Sequence, residues 1–164
     1  MAIKRSFPPI VRDDARLLVL GSLPGDKSLA AGRYYAHPQN QFWRLMGAVV
    51  DRDLANMPYE DRLAALLDAH VGLWDVAESA LRPGSSDAAI RDLAPNDLAG
   101  LIARLPQLRA IAFNGGTAYR HGRKQIGDAS AIALVPLPSS SPLHTVGLAA
   151  KLPAWMELRR HLIR

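Results

Sequence analysis

The chain has 164 residues, of which 49% are hydrophobic and 21% charged, and its formal net charge is +5. This length and composition exclude a disordered protein, and we expect residues 1–164 to form a single domain. The lack of cysteine excludes thiol catalysis, disulfides, thiolate-held Fe–S clusters and Cys-based zinc sites. No apolar run is long enough to span a membrane and no apolar core follows the charged start, so we expect a cytoplasmic protein.

The first predicted element is a strand over residues 16–21 (RLLVLG), because a short apolar run that ends at glycine is typical of a strand buried on both faces. After a loop, apolar side chains spaced at i, i+3, i+4 and i+7 predict a helix that is entered through Pro38. These side chains are Phe42, Leu45, Met46 and Val49. A second helix is predicted to begin near Pro58.

Strands and helices then alternate along the chain. Three further apolar segments predict strands, at residues 71–76, 110–115 and 131–137. Helices are predicted after Asn96, which we expect to act as the N-cap, from about Thr117, and over about residues 150–162.

This alternation predicts an α/β fold with three layers (α/β/α), in which helices cover both faces of a short, mainly parallel four-stranded sheet. In such sheets the functional site lies beyond the carboxyl ends of the strands. We therefore expect four loops to meet there, namely residues 22–40, 75–87, 114–118 and 138–147.

The loop after the first strand carries side chains that suit ligand binding. Its GSLPG turn at 21–25 is neither a Walker A motif nor a dinucleotide-binding motif, because the required Lys-Ser/Thr or further glycines are missing. Tyr34 and Tyr35 follow in the same loop. They either stack on a planar ligand or only cover the helix that follows.

The loop after the fourth strand, LPSSSPLHTVG, places three serines between two prolines. Small hydroxyls and exposed backbone N–H groups can hold phosphate oxygens, so Ser139, Ser140 and Ser141 are candidate phosphate ligands. Leu143 is expected at the loop tip. It is either an exposed wedge that enters stacked bases or a side chain tucked into the core.

Other catalytic classes are poorly supported. His37 and His144 are each alone in their segments, so no catalytic metal is expected, and the lack of Gly-x-Ser-x-Gly argues against an α/β-hydrolase. Asp75 ends an apolar strand, where a carboxylate is costly without a partner or a task. It is either functional or a cap for the segment that follows.

Charge is unevenly distributed along the chain. Residues 1–50 hold seven basic and three acidic side chains, residues 51–100 four and ten, and residues 101–164 nine and two. If the two basic ends meet in space, they form a positive face of the kind that binds a polyanion; the alternative is a solvated basic surface on an ordinary enzyme.

The loop segments, taken together and in order, resemble the uracil-DNA glycosylase superfamily. The segments are GSLPG at 21–25, YAHPQNQFW at 35–43, GLWDV at 72–76 and PSSSPL at 138–143. The second resembles the Ala-His-Pro-x-Asn-x-Phe-Trp segment of mismatch-specific uracil and thymine glycosylases. Each motif alone is weak, but the ordered set spans nearly the whole chain.

Departures from the superfamily patterns indicate the subfamily. Leu23 stands where mismatch-specific enzymes have the Asn that positions the attacking water, and Ser139 stands where conventional uracil enzymes have a His. The absence of Cys excludes the thermophilic Fe–S type. The remaining resemblance is to hypoxanthine-DNA glycosylases, whose first motif looks like GSLPG and whose catalytic residue corresponds to Asn40.

This resemblance implies a glycosylase that acts on a deaminated base flipped out of DNA. Because the chain has no Cys and no paired His ligands, we expect no metal and no cofactor, and we expect a monomer. Asn40 and Asp75 would be catalytic, and Ser22, Leu23, Tyr35 and Asp75 would contact the base. Ser139, Ser140, Ser141, Pro142 and Leu143 would contact DNA. Two alternatives remain open. One is a DNA- or nucleotide-binding module of the same fold that lacks catalysis, because Leu23 stands at the water-positioning place; the other is a phosphate-binding hydrolase of small molecules.

Overall fold

A computed structural model of the protein describes residues 3–127 and 131–163. Its regular elements are, in chain order, β1 (Ile3–Arg5), β2 (Leu17–Gly21), α1 (Asp26–Ala31), α2 (Phe42–Val50), α3 (Tyr59–Asp68), β3 (Val71–Asp75), β4 (Ala77–Leu81), β5 (Arg91–Pro95), α4 (Leu98–Ala103), β6 (Ala110–Asn114), α5 (Gly116–Ile126), β7 (Ala133–Leu137) and α6 (Leu148–Met156). No helix in the described ranges is both long and apolar enough to cross a membrane.

The central sheet has four parallel strands in the order β3-β2-β6-β7. Successive side chains of a strand point to opposite faces, and both faces here are apolar. Leu17 and Val19 of β2 pack into one core with α2, α3 and α6. Leu18 and Leu20 pack into a second core with α4 and α5. The predicted α/β fold with a short parallel sheet between helical layers is therefore confirmed.

A second, antiparallel sheet of order β1-β4-β5 was not predicted. Its strands have no apolar alternation: β5 reads RDLAP and is largely exposed, and β4 pairs with it through register shifts. This small sheet holds the loop between β4 and β5 beside the carboxyl end of the central sheet, where residues 85–88 line a cleft.

Local predictions needed three corrections. Asn96 is not the N-cap of α4: the cap is Asp97, whose Oδ1 accepts the Gly100 N–H at 3.0 Å. Asn96 instead donates to the carbonyls that flank the end of β3, because its amide can bond two backbone acceptors. The short helix α1 lies within the predicted first loop, and the last helix ends at Met156 and continues as a 3₁₀ turn to His161.

Candidate active site

A cleft of about 620 Å³ opens at the carboxyl edge of the parallel sheet, where the four predicted loops meet. This size is typical of a pocket for a small organic ligand. All of the residues predicted from the sequence to form the site line this cleft: Ser22, Leu23, Tyr35, Asn40, Asp75, Ser139, Ser140, Ser141, Pro142 and Leu143.

The floor of the cleft is formed where β2 and β3 end side by side, with Gly21 opposite Asp75 in register. A Cβ on Gly21 would lie 2.6 Å from Oδ1 of Asp75 and 3.1 Å from the Tyr35 hydroxyl. No real Cβ tolerates the first distance, so glycine is required for the carboxyl and the phenol to converge here. Among the described residues, neither Oδ2 of Asp75 nor the Tyr35 hydroxyl has a hydrogen-bond partner of good geometry.

Asp75 is buried at the floor of the cleft, with only 3% of the residue exposed. Burial, as the larger cause, and the nearby Asp87 together raise the pKa of this carboxyl from the ordinary 3.8 to about 7. The buried guanidinium of Arg82 opposes the shift. At neutral pH this carboxyl can therefore be present as a neutral acid that donates a hydrogen bond.

Tyr35 is held in an unusual conformation. Its φ is +53°, a region that bulky residues rarely adopt, and its carbonyl accepts the Trp43 indole N–H at 3.2 Å. One face of its ring stacks on Phe42, with ring centres 3.8 Å apart and planes 12° apart. Burial raises the pKa of the hydroxyl, which keeps it protonated as a donor. Tyr34 is instead buried in the core, as the structural alternative for that residue predicted.

Asn40 is half-buried at the wall of the cleft, just before α2. Its Oδ1 accepts the Phe42 N–H at 2.9 Å, so it does make the helix-start hydrogen bond expected of Asn there. That bond also fixes the plane of the carboxamide. The neighbouring Gln41 donates its N–H to the Ser140 carbonyl, which ties this segment to the serine loop.

The serine loop, residues 138–147, divides into an anchored and an exposed part. Ser140 is 1% exposed, and it exchanges two hydrogen bonds with Asn114 at the end of β6, each 2.9 Å long. Its N–H is thus already used inside the protein. Ser139 and Ser141 are half-buried, and their hydroxyls accept the N–H groups of Ser141 and Leu143.

Leu143 is 61% exposed at the rim of the cleft. The alternative in which this side chain is tucked into the core is therefore wrong. Consecutive hydrogen bonds within the loop stiffen the turn that carries it, since the His144 N–H also donates to the Ser141 carbonyl. The serine loop therefore exposes the apolar Leu143 side chain on a turn that is held by hydrogen bonds.

The first loop is held by a buried arginine. Arg82, 1% exposed, donates to the carbonyls of Leu23, Pro24 and Gly84. Leu23 is 6% exposed and packs on β4, so it forms an apolar wall. Ser22 is buried beside Asp87, and its hydroxyl hydrogen bond opposes the burial that raises the pKa of Asp87.

Some basic residues of the two ends of the chain lie close together, but on the side of the molecule opposite the cleft. Arg16 and Arg109 precede β2 and β6, and they donate to carbonyls of the C-terminal segment 161–163. They therefore lie at the amino edge of the sheet, opposite the cleft, so the expectation that the meeting of the two ends forms the phosphate-binding face is wrong for these residues. Lys27, by contrast, is exposed and lines the cleft.

Comparison with known proteins identifies the family of this chain. The profile of the Uracil DNA glycosylase superfamily matches residues 8–159. The chain belongs to this superfamily. A protein of Methanosarcina acetivorans named hypoxanthine DNA glycosylase is 44% identical over 116 residues, which cover 71% of this chain and 73% of that one. A protein of the same name from Methanosarcina barkeri is 36% identical over 156 residues, or 94% and 96% of the two chains.

The fold of a solved relative is also similar. The solution NMR structure of a candidate uracil DNA glycosylase from Methanosarcina acetivorans superposes with a TM-score of 0.87 at 37% sequence identity, covering 98% of this chain and 99% of that one. The family resemblance inferred from the four ordered motifs is confirmed.

Four residues of this superfamily member support the site but were not singled out from the sequence: Arg82, Asp87, Asn114 and Lys151. Asn114 ends a predicted strand at the edge where ligands bind, so its position was a usable signal. Arg82 and Asp87 lie in a segment whose sheet was not predicted. Lys151 falls in an amphipathic helix, where a lysine is normally assigned to the solvent face.

Proposed function

We propose that the protein hydrolyses the N-glycosidic bond of a deaminated base in DNA, with hypoxanthine as the preferred base and uracil or xanthine as further candidates. The observation that carries this proposal is the convergence of two buried polar side chains, Asp75 and Tyr35, at the floor of the cleft whose wall holds Asn40. The names of the two Methanosarcina relatives support the choice of hypoxanthine.

The base has to leave the duplex to reach this floor. Enzymes that act on a base in DNA rotate the nucleotide out of the stack into a pocket. A cleft of about 620 Å³ accommodates a purine nucleoside. Tyr35 would stack on the base through the ring face that is turned away from Phe42, and Leu23 and Ser22 would form the opposite wall.

Asp75 would act on the leaving base. When the bond between C1′ and N9 breaks, its electron pair stays with the purine, and a proton donated to the purine makes it a better leaving group. Asp75 in its neutral form can donate to the O6 or N7 edge of hypoxanthine. In many enzymes, hydrogen-bond donors aimed at developing negative charge supply most of the stabilisation of the transition state.

Asn40 would place the water that completes the reaction. The sugar becomes an electron-poor oxocarbenium ion, and a water bonds to C1′ on the face opposite the base and releases its proton to bulk water, from which Asp75 regains the proton that it gave to the base. A carboxamide is a weak base but a good orienting group, and its plane is already fixed by the Phe42 N–H. Leu23 cannot supply this function from the first loop, so we assign it to Asn40.

The serine loop would hold the DNA strand around the extruded nucleotide. The hydroxyls of Ser139 and Ser141 would donate to flanking phosphates, and Ser140 would contribute chiefly by fixing the loop through Asn114. Pro142 would stiffen the tip. Leu143 would fill the space that the flipped base leaves in the stack.

The test is a panel of otherwise identical labelled duplexes that contain hypoxanthine, xanthine, uracil opposite guanine, or thymine opposite guanine. Excess protein is added to each, and alkali cleaves the strand wherever a base has been released. We expect cleavage at hypoxanthine to be fastest. Binding without cleavage of any duplex would favour the non-catalytic module, whereas binding of free nucleotides but not of DNA would favour the small-molecule hydrolase.

A further inference from the structure

Lys151 is a cation in an unfavourable place. It lies in the first half of α6, where the helix dipole disfavours positive charge, and only 1% of it is exposed. Burial of an ammonium without a counter-ion is costly, and the same burial lowers its pKa. Among the ion pairs of the described residues, none involves Lys151.

The contact that Lys151 does make is with the serine loop. Its Nζ donates to the His144 carbonyl at 3.1 Å, immediately after the exposed Leu143. One helical turn further along α6, the Trp155 indole N–H donates to the Pro138 carbonyl at 3.0 Å, at the start of the same loop. Helix α6 thus holds residues 138–147 at the start of the loop and just after its tip.

We propose that Lys151 is a positioning residue for base extrusion: it holds the Leu143 tip at the height needed to enter the DNA stack, and it takes no part in the cleavage step. This inference rests on the proposed function, because a wedge has a use only if a base is flipped. An apolar side chain in its place would avoid the cost of the buried charge. Such a substitution would remove the hydrogen bond that positions the serine loop, without destabilising the fold.

The test uses the full-length protein with Lys151→Met, which keeps the unbranched side chain and removes the donor. Lys124→Met is the matched control, because Lys124 is an exposed lysine of α5 that does not line the cleft. Each variant is assayed with excess protein on the same inosine strand, single and paired. A duplex with 2-aminopurine beside the lesion reports extrusion by fluorescence, without any need for chemistry.

We expect Lys151→Met to melt at the wild-type temperature or above and to process the single strand at a rate within about twofold of wild type. Its excision rate on the duplex should fall about tenfold, because loss of one hydrogen bond from a charged group changes an equilibrium by about that factor. Its 2-aminopurine fluorescence should fall. Lys124→Met should change neither the ratio of duplex to single-strand excision rates nor the fluorescence. Equal losses on both strands, or an unchanged duplex rate, would overturn the inference.

A second variant keeps the inference testable if Lys151→Met folds poorly. Lys151→Leu introduces a shorter apolar side chain that also lacks the donor to the His144 carbonyl, so it should show the same selective loss on the duplex. If the wild type releases no base from any strand, the proposed function fails. The fluorescence signal then decides on Lys151 by itself, and an unchanged signal in Lys151→Met would contradict its role.

Discussion

Asn114 and Ser140 exchange two hydrogen bonds of 2.9 Å across the ends of two loops, with Asn114 Nδ2 donating to the serine hydroxyl and the Ser140 N–H donating back to Oδ1. Because the Ser140 carbonyl also accepts the Gln41 N–H, this pair joins β6, the serine loop and the Asn40 segment in one network. Both side chains are buried. The relative positions of the proposed water-orienting and DNA-binding groups therefore depend on it.

Asn114→Ala should destabilise the protein by about 1–3 kcal/mol, because it leaves the buried N–H and hydroxyl of Ser140 without their partner. Urea unfolding followed by circular dichroism measures this loss. Ser140→Ala is the control, since it removes one of the two bonds and keeps the other, and we expect a smaller effect. An Asn114→Ala protein as stable as the wild type would show that the network is not structural.

Asp75→Asn tests the neutral-acid role through pH. If protonated Asp75 assists departure of the base, the wild-type rate is highest below a pH of about 7 and falls as the pH rises through that value. Asn is a neutral donor that cannot transfer a proton, so the variant should be slower by on the order of 10²-fold and should lack this inflection. Single-turnover rates between pH 5 and 9 decide, and a wild-type rate that rises through 7 would assign the carboxylate as an acceptor instead.

The same substitution should change stability with a defined sign. The pKa of Asp75 is raised in the folded state, so ionisation favours unfolding, and the wild type loses stability as pH rises from about 3.8 towards about 7. The melting temperature of Asp75→Asn should equal that of the wild type near pH 3.5 and exceed it increasingly up to pH 7, then by a constant margin. A constant difference across the whole range would mean that Asp75 does not titrate in this window.

Leu143→Ala should weaken excision from paired DNA far more than from single strands. A wedge is needed only where a stack has to be opened, and unstacking costs a few kcal/mol per step. Because Leu143 is mostly exposed, its removal should leave the melting temperature nearly unchanged. Rates on the two substrates are compared in one experiment, and proportional losses on both would refute the wedge.

The two groups of basic residues should differ in their effect on DNA binding. Lys27→Gln should weaken binding and reduce the slope of log K against log salt by about 0.9, the value for one phosphate contact on B-DNA. Arg109→Gln should leave that slope unchanged, because Arg109 lies at the opposite edge of the sheet. Fluorescence anisotropy with an inosine duplex over a range of salt concentrations measures both slopes. If both variants reduced the slope equally, the DNA would also contact the edge of the sheet opposite the cleft.

Sequence patterns predicted the parts of the molecule in which one physical cause dominates. A short apolar run that ends at glycine, such as 16–21, indicates a buried strand, and alternation with helices then places Asp75 and the serine loop at one edge. The antiparallel sheet was missed because β5 is short, polar and exposed, so its pairing is set by tertiary contacts rather than by pattern. Asn96 was misassigned because Asn and Asp are equally good caps, and only the structure shows that Asn96 bonds the end of β3.

The candidate site likewise contains residues that sequence patterns reveal and residues that only the folded structure reveals. Asp75 could be singled out because a carboxylate at the end of an apolar strand is costly, whereas Asn114 and Lys151 acquire their roles from contacts with the serine loop, 26 residues away for Asn114 and seven for Lys151. Their hydrogen bonds to Ser140 and His144 depend on how α6 and β6 pack around the serine loop. Residue type alone does not predict such contacts.

Asn40→Ala separates the structural and chemical roles of the amide. Loss of the helix-start hydrogen bond should cost about 0.5–2 kcal/mol of stability, so the variant should melt within a few degrees of the wild type and still bind inosine DNA. Loss of a group that positions a reactant should slow excision on the order of 10²-fold or more. Near-normal excision would move the water-orienting role to another residue, with Asp75 as the first candidate.

The most direct test is to identify the products of a single turnover by mass spectrometry. Wild-type protein in excess is mixed with an inosine-containing duplex in the presence of EDTA, because no metal is expected to take part. We predict stoichiometric free hypoxanthine and a strand with one abasic site, with Asn40→Ala far slower under the same conditions. An intact strand after prolonged incubation, or release of a nucleotide instead of a free base, would contradict the assignment.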